Sequence, residues 1–129
     1  MIHLPKLYIS DLDGTLLLPN GRLSGWGRDF LNIAVQKGAL FTIASARNYE
    51  SIMKAIQFTP KLPIIAANGA IIHDAATGEP LLVQNLNHQG LLEIYQLAKS
   101  MNLAPMLNSF DGIRESFLYA EIQNMGMAW

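Results

Sequence analysis

Apolar residues along this chain alternate between two habits. Some gather in short continuous runs, and others recur every three or four positions. The runs are Leu7 to Ser10, Ala39 to Ala44 and Ile64 to Ala67. Continuous apolar runs of this length suit strands covered on both faces, as in a parallel sheet. Between them lie two helical stretches. Ser24 is a good N-cap for a helix running to about Lys37, with Trp26, Phe30, Ile33 and Ala34 on one face and Gly38 as the stop. A second helix, about Tyr49 to Gln57, carries Tyr49, Ile52, Met53 and Ile56 at the i, i+3, i+4, i+7 spacing. Strand, helix, strand, helix, strand with short links predicts right-handed parallel crossovers. Ligands of such sheets bind at the carboxyl ends of the strands.

Turn signals divide the remainder. Pro19-Asn20-Gly21 predicts a small hairpin beside the end of the first strand. Asn68-Gly69 marks a tight turn, and the segments Ala70–Asp74 and Pro80–Val83, separated by a loop at Ala75 to Gly78, predict a hairpin leaving the sheet. The chain turns polar around Asn85 to Asn87, which places a domain boundary there and divides the chain into 1–84 and 85–129. Leu91, Ile94, Tyr95, Ala98 and Met101 then repeat at helical spacing. Two β-prone runs, about Ala104–Asn108 and Glu115–Glu121, follow on either side of Phe110-Asp111-Gly112.

Composition narrows the class without choosing a function. A chain of 129 residues, half of them hydrophobic, is one ordinary domain or one domain and part of another. A net charge of −1 supplies no general attraction to nucleic acid or anionic membrane. With no cysteine, disulfides and thiolate metal sites are excluded, which fits a cytoplasmic location. His3, His73 and His88 are scattered without zinc-ligand spacing, and no apolar run approaches membrane-spanning length.

The chemistry concentrates at the end of the first strand, in Ser10-Asp11-Leu12-Asp13-Gly14-Thr15. Side chains two apart on a strand point to the same side, so Asp11 and Asp13 project together, and Gly14 permits a sharp turn. Asp-Gly alone is an ordinary turn pair, but a turn has no need of a second Asp at the end of an apolar strand. Two adjacent ionised carboxylates call for a compensating cation, and oxygen donors favour Mg²⁺. Ser45, at the end of the second run, and Asn68, at the end of the third, fall at the same edge of the sheet. Asn68 is accounted for equally well by the turn it makes, and Arg47 by an exposed charge at a helix start.

The stretch Asp11-Leu12-Asp13-Gly14-Thr15 resembles motif I of the haloacid dehalogenase superfamily, and the whole chain is similar to its Cof-type phosphatases. That resemblance implies a Rossmann-like parallel α/β core over 1–84 and the start of an inserted α/β cap over 85–129. It implies Asp11 as nucleophile, Asp13 as acid and base, and Mg²⁺ on the Asp11 carboxylate and the Asp13 main-chain carbonyl. Gly14 and Thr15 would offer backbone donors to phosphate, Ser45 a hydroxyl, and Arg47 a guanidinium. Ala46 stands where Cof-type members commonly carry Gly. The implied reaction is hydrolysis of a small phosphorylated metabolite such as a sugar phosphate. A phosphomutase and a non-catalytic phosphate- or metal-binding remnant are the rival expectations.

Two parts of the family scheme have no counterpart here: a Lys after the cap, and a Gly-Asp acidic pair ending a fourth strand. Lys99 falls on the expected cap helix and does not fill the first role. The expectation is therefore a truncated, poorly active chain whose first strand is an open edge, prone to self-association.

Overall fold

The computed structural model describes residues 5–119 and divides into two compact units that meet between Gln84 and Asn85. In the first unit, β1 (Leu7–Ser10) pairs in parallel with β2 (Leu40–Ile43), Leu7 opposite Leu40 and Ser10 opposite Ile43. A parallel bridge from Ala44 to Ile65 brings β3 (Ile64–Ala66) to the far side of β2. The order β1, β2, β3 and the parallel sense are those expected from the run-and-helix alternation. The crossovers are α1 (Gly25–Gln36) and α2 (Tyr49–Ile56). Each starts at a polar side chain that accepts a backbone N–H, Ser24 from Gly27 and Asn48 from Ser51. α2 ends at Gln57 in the left-handed conformation, with its N–H on the Met53 carbonyl.

The core lies between α2 and the strands. Ile43, Ile52, Ile56 and Ile64 are fully buried, with Phe41 against Phe58 at 6.4 Å between ring centres. Thr42 is buried in this layer with its hydroxyl on the Pro63 carbonyl. Leu12 belongs to the same cluster although it lies beyond the last residue of β1.

Helix α1 departs from the expected facing. Val35 is buried, and Leu23 and Leu31 pack on the core, whereas Trp26, Phe30 and Ile33 are exposed. Trp26 and Phe30 stack on one another at 5.4 Å. The helix carries two apolar stripes, and periodicity alone does not say which one meets the sheet. On β1, Leu7, Tyr8 and Ile9 are each about half exposed, and β1 pairs with β2 only among the described residues.

Two hairpins also differ from expectation. Residues 16–23 form a hydrogen-bonded turn, Gly21 N–H to Leu18 O and Leu18 N–H to Arg22 O, without flanking strands. β4 (Ile71–His73) does not leave the sheet region alone. It pairs antiparallel with β3 on one side and with β5 (Pro80–Val83) on the other. The reversal between β3 and β4 is a single 3₁₀ turn, Ala67–Gly69, in which Ala67 and Asn68 both have positive φ.

The second unit contains α3 (His88–Ser100), capped by Asn87, and the antiparallel pair β6 (Leu107–Phe110) and β7 (Glu115–Leu118). β6 begins three residues later than the β-prone run, because Pro105 has no N–H to contribute to a ladder. Glu121, the expected end of the last run, lies outside the described residues.

Leu12→Ala should destabilise the first unit by about 2–5 kcal/mol, the range for a buried leucine truncated to alanine. Phe30→Ala, on the exposed stripe, should change it by no more than about 0.5 kcal/mol. Urea denaturation of both variants measures the difference.

Candidate active site

Leu12 sets the geometry of the acidic turn. Its side chain is fully buried while its two neighbours, Asp11 and Asp13, are exposed. Its carbonyl accepts three amides, from Thr15, Leu16 and Leu17, at 3.2, 3.0 and 2.9 Å. The chain thus coils back immediately after the carboxylates, and it can do so because Gly14 takes a φ of +74° in open space. The alternation expected of a strand therefore runs through the three residues past the strand's end, Asp11 out, Leu12 in and Asp13 out.

The ends of β2 and β3 supply the other wall. Ala44 N–H bonds to Ser10 O, and Ser45 N–H bonds to Ile65 O, which carries the parallel ladder up to Ser45. The loop after β3 is tied back to the loop after β2 by Asn68 N–H to Ser45 O and Ala67 N–H to Arg47 O. A cleft of about 450 Å³ results, lined by Asp11, Asp13, Ala44, Ser45, Ala46, Ile65, Asn68 and Gly69. Ser45 is buried, and its Oγ accepts the Arg47 N–H at 3.2 Å. A hydroxyl that accepts still has its own proton to donate.

Arg47 and Asp13 form a bidentate ion pair, Nε to Oδ2 at 2.8 Å and Nη2 to Oδ1 at 2.6 Å. The hydrogen bonds from Arg47 hold the Asp13 carboxyl below the usual carboxylate range, and the same bonds push the guanidinium up. The pair is partly solvated, the Asp13 side chain being 57% exposed, so it is modest in strength. The turn at Pro19-Asn20-Gly21 stands beside it. A Cβ placed on Gly21 would lie 3.6 Å from Arg47 Nη2.

Of the residues singled out from the sequence, Asp11, Asp13, Ser45 and Asn68 all line this one cleft, and Arg47 reaches it through Asp13. Asn68, at φ +56°, makes the tight turn and lines the cleft as well. The Thr15 amide is turned onto the Leu12 carbonyl. Ala44, Ile65 and Gly69 were not anticipated as lining residues, since small or apolar residues carry no chemical signal of their own. His73 is a satisfied buried histidine, Nδ1 at 2.8 Å from Gly78 O. Asp74 and Asp111 accept the backbone amides of their own turns. Among the described residues, no three His, Asp or Glu side chains converge on a metal position. Asp11 and the Asp13 main chain provide hard oxygen donors, and an ion that keeps several waters and binds phosphate oxygens needs few from the protein.

Paired carboxylates, a serine hydroxyl and a clamped arginine thus gather at the carboxyl edge of a parallel α/β sheet. The chain belongs to the haloacid dehalogenase-like hydrolase family, whose model matches residues 8–123. It is 37% identical over 125 residues to the 5-amino-6-(5-phospho-D-ribitylamino)uracil phosphatase YwtE of Bacillus subtilis, covering 91% of this chain and 42% of that protein. A haloacid dehalogenase-like hydrolase structure from B. subtilis superposes with a TM-score of 0.70 at 25% identity, over 81% of this chain and 37% of the other. BT1666 of Bacteroides thetaiotaomicron, a phosphatase of the superfamily, superposes with 0.67 at 24% identity, over 84% and 40%, and shares the fold. The chain spans less than half the length of the relatives it matches.

Because the folded-state pKa of Asp13 lies below its unfolded value, the pair's contribution is present above the unfolded pKa and is lost as pH falls through the folded one. Arg47→Ala should raise the Asp13 midpoint, because the guanidinium hydrogen bonds that hold it down are lost. Carboxyl-carbon NMR titration of wild type and variant reads the shift.

Proposed function

We propose that this chain carries the nucleophile half of a phosphomonoester hydrolase. The observation behind the reading is the convergence of Asp11, Asp13 and Ser45 on one cleft at the carboxyl ends of parallel strands. An Asp11 carboxylate oxygen attacks phosphorus and forms an aspartyl-phosphate while the ester oxygen departs with a proton from Asp13. Water then attacks the phosphorus, gives its proton to Asp13, and regenerates the Asp11 carboxylate. The Ser45 hydroxyl donates to a phosphoryl oxygen during both steps, and Asn68, which lines the cleft, faces the same group. The Gly14 amide is a further proposed donor, although Gly14 is not among the residues lining the described cleft. Thr15 contributes through its amide only as far as it can be shared with the Leu12 carbonyl. The Asp11 carboxylate and the Asp13 main-chain oxygen would hold Mg²⁺, which would supply charge to offset the repulsion between nucleophile and phosphate.

The substrate class is a small phosphorylated metabolite, with a sugar phosphate as the first choice. The B. subtilis relative is named for a phosphoribityl compound, in keeping with that class. Residues 85–129 are read as the beginning of a Cof-type cap. For the 129-residue chain we infer weak turnover, since no lysine lines the described cleft. The same feature favours, as a second reading, a phosphate-binding remnant without turnover. The cytoplasm is the compartment assigned. No described helix is long and apolar enough to cross a membrane.

The half-exposed β1, with a free edge among the described residues, supports self-association through that edge.

Two measurements test these readings. Asp11→Asn should lower hydrolysis of a phosphate-ester panel at least about a thousandfold, as loss of a nucleophile does, with unchanged circular dichroism. Undiminished turnover would remove Asp11 from that role. In sedimentation velocity the wild-type chain should associate with rising concentration, and Ile9→Lys should shift it toward the 14.2 kDa monomer.

A further inference from the structure

The Arg47–Asp13 pair poses a conflict for any reaction in this cleft. A carboxyl group clamped by two guanidinium hydrogen bonds is poorly placed to exchange protons with a substrate oxygen. A guanidinium committed to a carboxylate cannot at the same time hold a phosphate. We propose that Arg47 serves two anions in turn, Asp13 while the cleft is empty and a phosphoryl group once one enters, so that binding itself releases the Asp13 carboxyl group. The inference rests on the reading of this cleft as a phosphoryl site.

Several features of the structure fit an exchange of the side chain alone. The Arg47 backbone is held at both ends, its N–H by Ser45 Oγ at 3.2 Å and its carbonyl by the Ala67 amide at 3.0 Å. Its Cα therefore stays beside Ser45, a residue that lines the cleft. The guanidinium is planar and bidentate, a geometry that suits a carboxylate and a phosphate equally. The present partner is a single-charged, largely solvated carboxylate, which a doubly charged phosphate can displace. Gly21 leaves the neighbouring turn without a side chain, and a Cβ there would meet Nη2 at 3.6 Å.

Inorganic phosphate binding, measured on the full chain by isothermal titration, separates the possibilities in four forms: wild type, Asp13→Asn, Arg47→Ala and the double variant. If Asp13 competes for Arg47, Asp13→Asn tightens phosphate binding by about 1.5- to 5-fold, the strength of an exposed ion pair. In the Arg47→Ala background, which binds phosphate more weakly, the same change brings no gain. An equal gain in both backgrounds means simple relief of charge repulsion and overturns the exchange, as does no gain in either. A readout on the unmodified protein stands beside this. Phosphate should shift the Arg47 Nε–H resonance and move the Asp13 carboxyl carbon to its position in Arg47→Ala. Phosphate that perturbs the Ser45 amide while leaving both of those signals in place overturns the proposal and leaves the phosphoryl site standing. No phosphate binding in any form overturns the phosphoryl site and the exchange together.

Discussion

The burial of one leucine between two exposed carboxylates is the constraint on which this site depends. Leu12 is fully enclosed by the core, and its carbonyl gathers the next three available amides. With that side chain fixed inward, Asp11 and Asp13 have only the outward direction open to them. A polar residue at position 12 would leave an unsatisfied group in the core and would free the turn to rotate. The core and the chemistry are therefore coupled at a single position. The hydrophobic contact that stabilises the first unit is also the one that aims the carboxylates.

The second condition is parallel pairing. Because β1 and β2 run the same way and β3 continues through the bridge at Ala44, three successive strand ends arrive at one edge. The loops there are not left to find their own shape. Ser45, Arg47, Ala67 and Asn68 are cross-bonded through their backbones, so the serine hydroxyl and the asparagine sit on a braced rim. Bracing by main-chain bonds tolerates changes of side chain. Side-chain freedom then remains mainly with Arg47, the one long cationic group at the rim, whose position is set by a partner 34 residues away.

Much of this was legible in the sequence, and what was not has physical causes. The continuous runs marked the parallel strands; β2 and β3 are largely buried as such runs imply, whereas Leu7, Tyr8 and Ile9 of β1 are about half exposed among the described residues. The Asp-Leu-Asp spacing marked the site, because two like charges at the end of an apolar strand have no purely structural use. The facing of α1 was not legible. Trp26, Phe30 and Ile33 keep helical spacing as well as Leu31 and Val35 do, and only the position of the sheet chooses between the stripes. The partner of Arg47 was equally hidden, because it depends on which loops the topology brings together. The hairpin expected at residues 16–23 became a plain turn, since the amides of Leu16 and Leu17 are already spent on the Leu12 carbonyl. β4 was read as half of a separate hairpin because its two neighbours in the sheet are adjacent to it in sequence on both sides, and sequence alone favours neither.

The proposed reaction requires an oxygen of Asp11 to meet phosphorus. A crystal structure of the chain with orthovanadate, which mimics the transferring phosphoryl group, tests it most directly. The account predicts vanadium in line with an Asp11 carboxylate oxygen, one equatorial oxygen on the Ser45 hydroxyl and Arg47 turned away from Asp13. Vanadate bound elsewhere in the cleft with Asp11 out of contact would contradict it.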